Sequence, residues 1–204
     1  MMQPTDDFTV AAKALAADGW CSMPQLMSMA QTRALAQECA ALHEGKVMLP
    51  AGTGRAHSRS PLRGDHTLWF PTAALTAPQQ VFQRRIDSLR IALNRSLFLG
   101  LVDTESHYAV YSPGSGYARH LDRIHDSDAR VISAVFYLND HWRESDGGAL
   151  RLYLPDQSSR DIYPHAGTLL LFLSAQFEHQ VLPATRQRMS IACWMRQQGV
   201  GATC

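Results

Sequence analysis

The chain has 204 residues, 46% hydrophobic and 18% charged, with 19 Lys+Arg against 18 Asp+Glu and a formal net charge of +1. That balance excludes a disordered or collagenous chain, and a surplus of one positive charge offers no general means of gripping nucleic-acid phosphates. Asp6 and Asp7 stand where a secretory signal carries positive charge, and the longest apolar run, Thr168 to Leu173, is far short of the ~18 residues a membrane span requires. Cys21, Cys39, Cys193 and Cys204 are scattered with no CxxC, so neither a thiolate zinc site nor a disulfide framework is expected. The expectation is one cytoplasmic domain over residues 1–204, with no nucleic-acid or membrane partner.

In chain order, residues 1–100 read as mainly helical support. Phe8 to Ala17 is alanine-rich, and Leu26 to Leu42 carries Leu26, Met29, Leu35, Cys39 and Leu42 at helical intervals, with Gly19 and Gly45 as stops. A lid-like loop is expected over residues 49–66, where Arg55, His57, Arg59 and Arg63 give a local basic character, followed by a short strand, Thr67 to Phe70. A third helix opens at Thr76 with Pro78 in its first turn, steps through Phe82, Ile86, Leu89, Leu93 and Leu97, and stops at Gly100.

Residues 106–196 change to a period of two. Eight short runs read as strands: His107–Tyr111, Tyr117–Asp122, Val131–Leu138, Ala149–Leu154, Asp161–Tyr163, Thr168–Leu173, Phe177–Leu182 and Arg188–Met195. The fold class expected is mainly β with flanking helices, a jelly roll (double-stranded β-helix) of about eight strands buttressed by the N-terminal helices.

His120 and Asp122 stand two apart on an expected strand, so both point to one face. With 9 His in the chain, a lone HxD is close to what chance supplies. His179, on a second expected strand, raises its value, because two imidazoles and one carboxylate on a rigid sheet form the facial triad of non-haem Fe(II) oxygenases. The run Arg188 to Trp194 alternates cleanly: Met189, Ile191 and Cys193 form an oily face, and Arg188, Ser190, Ala192 and Trp194 the other. Two small residues between a guanidinium and an indole leave room for a ligand, and an inward arginine suits a dicarboxylate held at two points. An ordinary ion pair with an Asp or Glu stays open as the alternative for Arg188. His125, Asp126 and Asp128 follow the HxD in an expected loop, where solvated charge is the usual outcome, and Asp146-Gly147-Gly148 reads as a turn.

The stretch from Tyr111 to Trp194 resembles the prolyl-hydroxylase-like 2-oxoglutarate/Fe(II) dioxygenases, among them the oxygen-sensing prolyl hydroxylases and their bacterial relatives. The resemblance rests on Tyr111-Ser112-Pro113-Gly114, Gly116 to Asp122, Phe136-Tyr137-Leu138-Asn139, Gly147 to Arg151, His179 to Ala184 and Arg188 to Trp194, with Leu62 to Asp65 and Trp69 upstream. It implies His120, Asp122 and His179 as iron ligands; Arg188 and Tyr137 on the far carboxylate of 2-oxoglutarate; Tyr111 beside that cosubstrate; and Arg130, Trp194 and Asp65 at the substrate entrance, Asp65 pairing with Arg130.

The implied cofactors are Fe(II), 2-oxoglutarate and O2, with ascorbate a candidate reductant. The implied reaction is hydroxylation of a prolyl residue in a cytosolic protein or peptide, a translation factor or ribosomal protein being one candidate, coupled to conversion of 2-oxoglutarate to succinate and CO2. No side-chain acid or base is assigned beyond the metal centre. A free amino acid or small metabolite is the alternative substrate. A non-catalytic jelly-roll module sensing iron or a dicarboxylate is the alternative role, and zinc hydrolysis ranks last because it leaves Arg188 without a purpose.

Overall fold

The structure, a computed structural model, describes residues 4–53, 58–59, 63–122 and 129–198. His125, Asp126, Asp128, Arg55 and His57 lie outside them. In chain order the elements are α1 (Pro4–Asp18), β1 (Trp20–Met23), α2 (Met29–Glu44), β2 (Leu49–Pro50), β3 (Gly52–Thr53), β4 (Ser58–Arg59), β5 (Asp65–Trp69), α3 (Ala77–Leu97), β6 (Leu101–Tyr111), β7 (Tyr117–His120), β8 (Arg130–Tyr137), β9 (Leu150–Tyr153), β10 (Ser159–Ile162), β11 (Leu169–Leu173), β12 (His179–Val181) and β13 (Arg188–Gln197).

Helix boundaries follow local chemistry. Ser28 and Gln31 form a reciprocal capping box, so α2 starts at Met29, although the apolar spacing begins at Leu26. Thr76 and Gln79 do the same for α3, with proline in its first turn. That helix stops at Leu97, before Gly100. Phe98 takes the left-handed cap at φ 54° while Asn94 bonds both backbone groups of Leu101. Gly19, at φ +75°, ends α1, and a Cβ there would meet the Phe177 ring at 2.7 Å.

Two antiparallel sheets carry the chain. The larger runs β1-β11-β8-β13-β6-β5-β2 and the smaller β10-β9-β12-β7; β3 and β4 form a separate hairpin. The eight expected strands form the eight central ones, four in each sheet, as the jelly roll requires. Three additions were not legible. Edge strand β1 shows no alternation and pairs with β11, while β2 and the hairpin convert part of the expected lid into strand. The larger sheet puts Tyr108, Val110, Ile132, Phe136, Ile191 and Cys193 against the helices, where Phe82, Ile86, Leu89 and Leu93 of α3 are fully buried, each contributing about 1.5–3 kcal/mol. Its other face packs on the smaller sheet through Phe172, Leu170, Leu152, Leu150 and Phe177 at one end, and through Ala109, Tyr111 and Val181 at the other. A cavity of about 900 Å³ remains between the sheets. No helix among the described residues is long and apolar enough to cross a membrane.

Candidate active site

The register of the larger sheet orders the cavity wall in rows. Asp65, Tyr111 and Arg188 face one another across β5, β6 and β13; Ala109, Ser190 and Tyr137 form the second row; Trp69, His107, Ala192 and Val135 the third; Glu105, Trp194 and Ser133 the fourth. Arg188, Ser190, Ala192 and Trp194 all line the cavity, as the alternation of β13 requires, while Ile191 and Cys193 are buried among the helices.

Opposite this wall the smaller sheet pairs His179 directly with His120. Asp122 does not share their strand: β7 ends at His120, and Asp122 follows in a bend outside the ladder. Even so, one ligand atom from each of His120, Asp122 and His179 lies within 4.8 Å of the others, a group that can hold a metal ion. Nδ1 of His120 faces Ala118 O at 2.7 Å and Nδ1 of His179 faces Phe177 O at 3.3 Å. A carbonyl only accepts, so each Nδ1 carries the proton and each Nε2 keeps its lone pair. Those Nε2 atoms stand 3.7 Å from Oδ1 and Oδ2 of Asp122, respectively. Tyr117 stacks on the His120 ring at 3.7 Å and Phe172 flanks His179 at 4.7 Å.

Burial works against the Asp122 charge, but His179, His120 and a hydrogen bond from Ser133 Oγ at 2.6 Å more than offset it and hold the carboxyl below its ordinary range. Trp194 adds a weaker pull from outside hydrogen-bonding geometry, its Nε1 having no partner. Burial, aided by the neighbouring His179, lowers His120 to about 4, so its imidazole is neutral and ready to donate at physiological pH.

Arg188 is 1% exposed and holds no carboxylate among the described residues. Its Nε donates to Gly148 O at 2.9 Å and its Nη1 to Ser190 Oγ at 3.2 Å, while Nη2 has no hydrogen-bond partner among the described residues. The Tyr137 hydroxyl is likewise buried without a hydrogen-bond partner among the described residues, and burial, partly opposed by the nearby Arg188, pushes its pKa up to about 12, so it keeps a proton to donate. Arg188 lies over the rings of Tyr137 at 5.2 Å and Tyr111 at 5.3 Å. Buried donors left unspent beside a cavity cost free energy unless a ligand accepts from them. A dicarboxylate fits that demand, and the His/Asp/His donor set fits Fe(II).

Asp65 and Arg130 do not meet. Asp65 stands in the Arg188 row, whereas Arg130 is opposite Arg196, eight residues further along β13, or roughly 25 Å at strand spacing. Asp65 is instead bound by Arg63 through two contacts of 2.7 and 3.0 Å. Arg130 pairs with Glu105 at 2.8 Å and lies over the Trp194 ring at 3.9 Å. Sequence reasoning also left out Ser133, Glu105, His107 and Tyr117, all on the inner wall, and Gly148, whose carbonyl holds Arg188. The last had a signal in the Gly-Gly pair: Gly148 sits at φ +70°, and a Cβ would come within 2.9 Å of Ala184 and 3.0 Å of Trp142.

Comparison with known proteins agrees with this geometry. The profile of the 2OG-Fe(II) oxygenase superfamily matches residues 106–196. The crystal structure of a Pseudomonas putida prolyl-4-hydroxylase is similar, with a TM-score of 0.87 and 40% identity over 94% of this chain and 100% of that one. A prolyl hydroxylase from Trichoplax adhaerens, solved with a hypoxia-inducible factor peptide fragment, also reaches 0.87 at 25% identity, covering 95% of this chain and 90% of its own. The hypoxia-inducible factor prolyl hydroxylase of Caenorhabditis elegans is 27% identical over 191 residues, 86% of this chain. The chain spans about a quarter of that relative's length (26%), and 28% of the rat Egl nine homolog 1, which it matches at 36% identity over 45% of this chain.

Proposed function

The chain belongs to the prolyl-hydroxylase-type 2OG-Fe(II) oxygenases, and we propose that it hydroxylates a prolyl residue of a protein or peptide. His120, Asp122 and His179 are the residues that would hold Fe(II), through the two free Nε2 atoms and the carboxylate. With iron bound, the centre supplies oxidation by O2, in which 2-oxoglutarate becomes succinate and CO2 and one C–H of the substrate becomes C–OH.

The chain's own residues position the reactants. Arg188 Nη2 and the Tyr137 hydroxyl take the far carboxylate of 2-oxoglutarate, with Ser190 and Ala109 small enough to leave it space and Tyr111 closing the side. Held there, the cosubstrate is directed from the Arg188 end of the cavity toward the triad. At the other end Trp194, with Arg130 against its ring, and the half-exposed Trp69 offer apolar faces to a pyrrolidine ring. Asp65 lines the cavity at the Arg188 end instead, where it fixes Arg63 over the Tyr117 ring. The finer proposal is that the substrate is a cytosolic protein of the translation machinery, for which the support is the family resemblance alone.

One observation carries the reading: the unspent Arg188 donor lines one cavity with the His/Asp/His group, and the unspent Tyr137 hydroxyl belongs to the neighbouring row of the same sheet, its ring under the Arg188 guanidinium. Anaerobic titration with Fe(II) and then 2-oxoglutarate tests it. The visible metal-to-ligand charge-transfer band should form in the wild type and be lost in Arg188→Ala with iron retained. No band in the wild type would sink the assignment. Incubation of proline-containing peptides with the enzyme, followed by mass spectrometry for one added oxygen atom, tests the substrate class.

A further inference from the structure

Behind Asp122 lies a pair of hydroxyls that cosubstrate binding does not use. Ser133 Oγ is 2.6 Å from Asp122 Oδ2 and 2.9 Å from Ser174 Oγ, and the two serines are 1% and 0% exposed. The direction of these bonds follows from the donors. An ionised carboxylate only accepts, so the Ser133 hydroxyl donates to Asp122, and its oxygen is then free to accept from Ser174. Bonds chained in this sense polarise one another, and a hydrogen bond to a charged acceptor is the stronger kind.

Both serines are placed by the larger sheet. Ser133 stands in β8 between the paired positions Ile132 and Ala134, and Ser174 directly follows β11, its N–H bonded to Val131 O at 3.0 Å. Asp122 has no ladder to fix it. The carboxylate that completes the triad is therefore aimed by a hydroxyl of the facing sheet, which engages Oδ2 and leaves Oδ1 without a protein hydrogen bond among the described residues.

We propose that Ser133, backed by Ser174, is a positioning residue that presents the Asp122 carboxylate to the metal in one orientation. The proposal rests on the reading of His120, Asp122 and His179 as ligands. Its test is titration of the metal-free protein with Co(II), a spectroscopic substitute for iron, in the wild type and in Ser133→Ala, Ser133→Thr and Ser174→Ala, with thermal unfolding of each metal-free form as the control for folding.

Ser133→Ala should bind Co(II) about 10–100-fold more weakly, as loss of a supporting hydrogen bond to a ligand does, with altered d–d absorption. Ser133→Thr keeps the hydroxyl and should recover wild-type affinity to within about threefold, and Ser174→Ala should fall between the two. Wild-type affinity and spectrum in Ser133→Ala overturn the proposal, as does a loss in Ser133→Thr equal to that in Ser133→Ala. If Ser133→Ala does not fold, wild-type behaviour of Ser174→Ala overturns it instead. An affinity loss in Ser133→Ala supports the proposal even in a protein that releases no succinate, a failure that would count only against the reaction assigned above.

Discussion

The two sheets that enclose the cavity build their parts of it by different means. On the larger sheet the functional side chains occupy ladder positions two apart, Arg188, Ser190, Ala192 and Trp194 on a ten-residue strand paired on both sides. Their direction is set by the pleat. The smaller sheet contributes ligands from strands of three and four residues, with the register shifting between His179 and Val181, and its third donor, Asp122, stands outside the ladder. There the direction is set by hydrogen bonds: carbonyls of Ala118 and Phe177 for the imidazoles, and Ser133 for the carboxylate. Where a ladder is long the backbone aims side chains; where it is short, other groups must.

That division can be broken most severely at Asp122. Asp122→Asn keeps the shape and removes the charge, so metal affinity should fall by more than the ~10–100-fold expected for a supporting residue, and succinate release should drop to background. Metal content after dialysis and the near-ultraviolet circular dichroism of the apoprotein check it; a variant that keeps its metal would deny Asp122 a ligand's role. Next in size is Arg188→Ala. A hydrogen bond to a charged group contributes about 1.5–3 kcal/mol, which predicts a rise of roughly 10–150-fold in KM for 2-oxoglutarate with metal affinity unchanged. Loss of metal in that variant would mean that the two sheets do not act separately.

The same contrast explains how much could be read from the sequence. Arg188, Ser190, Ala192 and Trp194 were legible as one wall because alternation along a paired strand needs no tertiary knowledge. The same alternation places His120 and Asp122 as a pair on one expected strand. Their convergence is real, but its cause is not the pleat, because β7 stops at His120 and Ser133 completes the aim from 11 residues further on. The family pattern would have Asp65 meet Arg130, and register separates them; Glu105, opposite Trp194, is a carboxylate that Arg130 does reach. Likewise Gly148 serves Arg188 through its carbonyl, and a backbone carbonyl leaves no mark on side-chain pattern beyond the glycine that lets the chain approach.

Histidines on both sheets give a pH dependence that distinguishes structural from ligand roles. Burial lowers His107, on the larger sheet beside Trp69 and Trp194, to about 4, and its Nδ1 is 3.0 Å from Tyr108 O. The unfolded chain takes up this proton near pH 6.5 and the folded one only near pH 4. The unfolded state therefore binds more protons between those values. The stability involved is complete above about pH 6.5 and is lost as pH falls toward 4, a change of about 3 kcal/mol. Denaturant unfolding of the metal-free protein at pH 7 and pH 5 should show the decline, and His107→Gln should flatten it. His120 shares the direction of shift, so part of the slope should survive in that variant and, with metal on its Nε2, extend below pH 4, because the metal also keeps the proton off the folded form. Parallel pH curves for wild type and His107→Gln would show that burial of His107 does not carry the effect.

The mildest effect is expected at the Glu105–Arg130 pair, which includes none of the three triad residues. Glu105 and Arg130 are each about one quarter exposed, and Arg130 also rests on the Trp194 ring. Ion pairs open to solvent contribute about 0–1 kcal/mol, so Glu105→Gln should leave the unfolding midpoint, metal affinity and KM for 2-oxoglutarate near their wild-type values. Its effect should fall on the peptide alone, as a change of a few fold in KM, because a loosened guanidinium no longer holds the indole in one place. Steady-state kinetics with peptide and 2-oxoglutarate varied in turn separate the two. An equal change in both constants would mean that the rim reports on the deep end of the cavity, and the independence of rows along β13 would then fail.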